Sequence, residues 1–166
     1  MHFKELIIQL QEYFGVEELA MHQKKFVLPA ANDVSAMLHE APHKNHLKHR
    51  FYLAATVCIA PDPGRDLRSM LAVALEANFF AQGTNGAVFA FNRSTHELIF
   101  FRAFDPKRID FKLFVRTLED LVLHVREWRR RFEAKDYYGS WRRNYRGMEA
   151  KQSGGLPLIQ DYWKKI

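Results

Sequence analysis

The chain has 166 residues, with 25 Lys+Arg against 19 Asp+Glu, a net charge of +6 and one cysteine. That length suits one domain with one core. The lone Cys58 excludes an internal disulfide and a cysteine-based zinc site, and no apolar run approaches the roughly 18–20 residues of a membrane span.

Phe3, Leu6, Ile7, Leu10 and Phe14 recur on one helix face, and Gly15 stops that helix, predicted over about residues 2–14. It is amphipathic, with Lys4, Glu5 and Glu12, and is no secretory signal. A reducing cytosol is the expected compartment. Lys24–Ala30 is a short strand that Pro29 places at an edge. Val34–Glu40 alternates Val34, Ala36 and Leu38 against Ser35, Met37 and His39. Arg50–Ala60 is the strongest strand, bounded by Pro61, Pro63 and Gly64. Asp66 is the expected N-cap of a helix over Leu67–Phe80. Thr84-Asn85, between Gly83 and Gly86, reads as a tight connection. Gly86–Asn92 and Glu97–Phe104 pair across Arg93–His96, and Asp110 caps a last helix running on through Phe132. The order is helix, three strands, helix, two strands, long helix. Without βαβ alternation it predicts an α+β fold with a largely antiparallel, twisted sheet packed by helices.

The hairpin over Gly86–Phe104 is too apolar for one dry and one wet face. Ala87, Phe89 and Phe91 share one side, Val88 and Ala90 the other, and the return strand reads Leu98, Ile99, Phe100, Phe101. Either a helix covers each face, or a second molecule covers one of them. At roughly 25 cal/mol per Å², covering a few exposed Phe side chains is worth several kcal/mol. A homodimer is the simplest such cover.

The order of elements and the run LRSMLAVALEANFFAQGTNGAVFAFNRSTHELIFFRAF resemble the class I chaperones of bacterial type III secretion, the group that contains the Tir-type chaperones. Leu71, Leu75, Ala77, Asn78, Gly83, Gly86, Leu98 and Phe104 match that pattern. Phe111, Phe114, Leu118, Leu121 and the pair Trp128-Arg129 match its long helix. The resemblance covers about residues 1–133. It implies a homodimer in the bacterial cytoplasm with neither enzymatic activity nor cofactor. It also implies a secreted effector as partner, whose N-terminal chaperone-binding segment is held secretion-competent and delivered to the export apparatus. The first helix and first strands would build the effector grooves, with Phe26, Leu28, Met37, Phe51, Tyr52 and Leu53 as candidates. The second helix and the hairpin would build the dimer seam, with Met70, Leu71, Ala74, Phe79, Phe89 and Phe91. Core packing is the competing role for each of these residues.

The chain departs from that family in charge. Residues 1–125 balance 14 basic against 14 acidic residues, whereas 126–166 carry 11 against 5. Family members are acidic, and many end soon after the long helix. A division into a chaperone-like domain, 1–133, and a basic, aromatic extension, 134–166, follows. Across residues 124–147 Arg129, Arg130, Arg142, Arg143 and Arg146 interleave with aromatic rings. That composition suits an acidic protein surface, the export apparatus or, as the alternative function, single-stranded nucleic acid; Arg residues solvating the last helix are the plainer reading. A regulator or adaptor on the same fold is a further alternative.

His39, His43, His46 and His49 crowd one loop, but the nearby Lys44, Lys48 and Arg50 oppose a bound cation. A solvated loop is expected and no metal site. Cys58 lies among apolar strand residues with no base nearby, so an inert thiol is expected. No phosphate loop, zinc-protease run or serine elbow is present, and no catalytic residue is assigned.

Overall fold

The computed structural model describes residues 2–22, 25–31, 33–42, 49–79 and 84–135. In chain order these form α1 (Phe3–Phe14), β1 (Met21–His22), β2 (Lys25–Ala31), β3 (Val34–Pro42), β4 (His49–Ile59), α2 (Arg65–Asn78), β5 (Val88–Asn92), β6 (Glu97–Phe104), a 3-10 turn (Pro106–Arg108) and α3 (Phe111–Glu133). The strands make one antiparallel sheet in the order β1-β2-β3-β4-β6-β5. This is the expected α+β arrangement with one added strand. β1 has two residues, too few to show a periodicity.

Local chemistry explains the boundaries. Gly15 takes φ 66°, a left-handed geometry that costs glycine little. The turn then returns the Val16 N–H to the Gln11 carbonyl at 3.0 Å. Asp110 caps α3 as expected, accepting from the Leu113 N–H at 2.7 Å. The expected cap of α2 is corrected. Gly64 holds that position, without a side-chain cap, and Asp66 lies in the first turn. Its carboxylate instead accepts from Lys135 Nζ at 2.8 Å, tying α2 to the end of α3.

The core lies on one face of the sheet. Leu28, Ala36, Leu38, Phe51, Leu53, Ala55, Leu98 and Phe100 are buried there, together with Leu6 and Leu10 of α1 and Phe114, Leu118, Val125 and Trp128 of α3. Phe3 of α1 packs on Phe51, ring centroids 5.1 Å apart. Trp128 meets Phe89 edge-on at 5.0 Å.

Arginines fasten α3 to the sheet. Arg129 Nε donates to the Val57 carbonyl at 2.9 Å, and its terminal nitrogens donate to the carbonyls of Asp33 and Thr56 at 2.6 and 3.2 Å. Arg126 Nε reaches both Asp33 carboxylate oxygens at 3.0 Å. The hydrogen bond from Arg126 holds the Asp33 carboxyl below its ordinary value, against a smaller upward push from burial. A carboxyl lowered on folding adds stability above its unfolded pKa, and that stability is lost as pH falls through the folded value. Asp33→Asn is therefore expected to lower stability near neutrality by about 0.5–1 kcal/mol, modest because the pair is partly exposed. Urea titrations at neutral pH and well below pH ~4 check it; the difference from wild type disappears at the lower pH.

Candidate functional site

Period-two alternation gives the sheet two faces. Only one is packed. On the other stand Val27 and Pro29 of β2, Met37 and His39 of β3, Tyr52, Ala54 and Thr56 of β4, Ile99, Phe101 and Ala103 of β6, and Val88 and Ala90 of β5. None of these side chains is buried. The strand register aligns them in rows. Val88 pairs with Phe101, Phe101 with Ala54, Ala54 with Met37 and Met37 with Val27. Five strands thus place five apolar side chains in one line, about 19 Å long at the usual strand spacing. A flanking row runs Ala103, Tyr52, His39, and Tyr52 lies 6.4 Å from the Phe101 ring. An apolar surface this continuous on a sheet is a candidate contact site.

A second apolar surface lies on α2. Met70, Val73, Ala74 and Ala77 turn into the core. Leu71, Leu75 and Phe79 recur every four residues on another side, half-buried at Leu71 and 69% and 63% exposed at Leu75 and Phe79. Hydrophobic residues at that spacing form a stripe on one helix flank.

These two surfaces sort the candidate residues. Of the groove candidates, Leu28, Phe51 and Leu53 are fully buried within the chain's own core. Phe26 is half-buried and packs against Phe3, while Met37 and Tyr52 lie on the open face. Of the seam candidates, Met70, Ala74 and Phe89 are buried, Phe91 and Leu71 are half-buried and Phe79 is open. Leu75 was missed as a seam candidate, although its spacing from Leu71 and Phe79 was a legible signal. Val88 joins the line only through its register with Phe101, which has no signature in the sequence.

Among the basic candidates, Arg129 is occupied as above and Arg130 pairs with Glu127 at 3.0 Å. Arg131 is 3% exposed, bonded to the same Glu127 at 2.8 Å and set 4.9 Å over the Trp128 ring. Burial pushes the Glu127 carboxyl up, and the two guanidiniums more than offset it, leaving it below its ordinary value. Arg142, Arg143 and Arg146 lie outside the described residues, as do His43 and His46. Among the described residues no cluster of His, Cys, Asp and Glu could hold a metal ion. Burial pushes the Cys58 thiol up to about 11, so it stays protonated and unreactive at neutral pH. No described helix is long and apolar enough to cross a membrane.

The sequence profile of the Tir chaperone protein (CesT) family matches residues 5–129, three quarters of the chain. The chain belongs to that family. No curated protein matches it significantly. Two solved structures share the CesT-family fold seen here. One is the HopA1-SchA chaperone-effector complex, with TM-score 0.56 and 15% identity over 77% of this chain and 93% of the other. The second is the ExsC-ExsE complex, with TM-score 0.56 and 17% identity over 76% and 90%. The CesT-family match ends at Arg129, within α3, so it includes both apolar surfaces and leaves out the basic segment that follows.

Proposed function

We propose that this protein is a type III secretion chaperone that binds the N-terminal segment of an effector on the open sheet face, as a homodimer joined through α2. The observation that carries this reading is the apolar line Val27, Met37, Ala54, Phe101, Val88 on a face where no described side chain is buried. Membership in a chaperone family supports it, and so does a fold shared with a protein solved in a chaperone-effector complex.

The physics suits an unfolded client. An extended segment has no core of its own, so its apolar side chains gain the full transfer free energy when a bare sheet receives them. Binding then orders the segment, which limits affinity and keeps release possible. No turnover is needed: the client is kept from collapsing or aggregating and is passed to the export apparatus in threadable form. The stripe Leu71, Leu75, Phe79 supplies a self-complementary surface for a second copy. An isologous contact needs that same patch twice.

The basic extension is the proposed contact to an acidic region of the client or of the export apparatus. The nucleic-acid alternative loses its described part, since Arg126, Arg129, Arg130 and Arg131 are engaged by Asp33, Glu127 and backbone carbonyls. Co-expression with candidate effectors and affinity capture of the chaperone tests the function. A stoichiometric effector, lost when its N-terminal segment is deleted, supports it; stoichiometric nucleic acid in place of protein contradicts it. Deletion of residues 134–166 is expected to weaken client binding and flatten its salt dependence. Equal affinity and equal salt slope for the truncated and full chains would remove the extension from the binding reaction.

A further inference from the structure

β5 is the last strand of the sheet, and such an edge ordinarily offers its backbone to any strand that approaches. Here part of that edge is occupied. Asn78, the last residue of α2, sets its side-chain amide against Phe89, the second residue of β5. The Phe89 N–H donates to Asn78 Oδ1 at 2.8 Å, and Asn78 Nδ2 donates to the Phe89 carbonyl at 3.1 Å. A primary amide has the donor and acceptor spacing of a peptide group, so one side chain answers the strand as a neighbouring strand would. Outward-turned groups recur every second residue along a strand. Two residues before Phe89, the Ala87 N–H is taken by the Thr84 carbonyl at 3.0 Å. Two residues after it comes Phe91, and β5 ends at Asn92.

We infer that Asn78 is an edge gatekeeper: it closes β5 to strand pairing with a second copy of this chain, and so confines self-association to side-chain surfaces. The side chains around that edge make the closure consequential. Val88 and Ala90 are exposed on β5, and Phe79 is exposed beside Asn78. Apolar residues flanking open backbone groups favour edge-to-edge association. A residue that satisfies the backbone without adding a strand removes that route while leaving the apolar side chains available. The inference goes beyond the proposed function and holds whatever the client is.

A staple joining α2 to β5 would also use these two hydrogen bonds, so the test must separate stapling from gatekeeping. Two variants do so. Asn78→Ala and Asn78→Asp both lose the donor to the Phe89 carbonyl, and both are expected to lower thermal stability. The alanine variant also loses the acceptor, so its Phe89 amide is expected to exchange with solvent about tenfold faster, whereas the aspartate keeps an oxygen for that amide. They differ at the edge. The alanine leaves it bare, whereas the aspartate puts a charge there that repels incoming carbonyls. Sedimentation velocity of each full-length protein over a hundredfold concentration range gives the readout. Asn78→Ala is expected to form species larger than the wild-type assembly, growing with concentration, and adding Ala90→Lys to it is expected to abolish them. Asn78→Asp is expected to keep the wild-type distribution. Wild-type distributions for both variants, or the same large species in both, would overturn the gatekeeper role and leave a staple. If Asn78→Ala fails to fold, the aspartate variant decides alone: large species in it also overturn the inference.

Discussion

Met37→Glu and Val88→Glu, made singly, are each expected to weaken client binding by about 100-fold or more while leaving the chaperone folded. The two positions stand on the open face, one inside the apolar line and one at its end. A client that covers them would have to bury a carboxylate against apolar groups with no partner, which costs several kcal/mol; each 1.4 kcal/mol is a factor of ten in affinity. Neither side chain is buried in the free chain, so stability changes little. Leu28→Ala is the control from the other side of the same strand pair. Leu28 is fully buried, and the truncation is expected to cost about 2–5 kcal/mol of stability. Titration calorimetry with the captured effector segment, read beside thermal melts, checks the contrast. Wild-type affinity in both glutamate variants would place the client elsewhere.

The double substitution Leu75→Glu, Phe79→Glu is expected to convert the proposed homodimer to single chains of 19.6 kDa. Both side chains are largely exposed, one helical turn apart, and would face their own copies across a two-fold contact. Four carboxylates brought to one seam repel one another as well as losing apolar cover. Light scattering coupled to size-exclusion chromatography reads the mass directly. The core side of α2, Met70, Val73 and Ala74, is untouched, so the separated chains are expected to stay folded. A wild-type mass in the double variant removes this stripe from the seam.

Much of the fold was legible because it is written in periodicities. The alternation of Val34, Ala36 and Leu38 against Met37 and His39 separates the two faces of β3 as found, and Asp110 announces the start of α3 through its cap. What periodicity leaves open is which face the helices choose. Phe51, Tyr52 and Leu53 are equally apolar neighbours, yet they point alternately, so two are buried and one is not. Met70-Leu71 and Ala74-Leu75 divide in the same way between the buried and open flanks of α2. Basic character misled differently. Arg129 belongs to a basic run, but one helical position turns its guanidinium onto the carbonyls of β4, and it serves the fold. Such long-range contacts, 72 and 73 residues apart along the chain, have no local signature. Asn78 matches the family pattern, but its bonds to Phe89, 11 residues on, have no local signature.

Hydroxyl-radical footprinting of the free protein and of its stoichiometric effector complex tests the central claim most directly. Met37, Tyr52 and Phe101 are oxidisable side chains on the open face. The account predicts that the bound effector slows oxidation at all three severalfold, with Trp128 in the core slow in both states. Unchanged oxidation at those three positions, in a complex shown to be fully occupied, would contradict it.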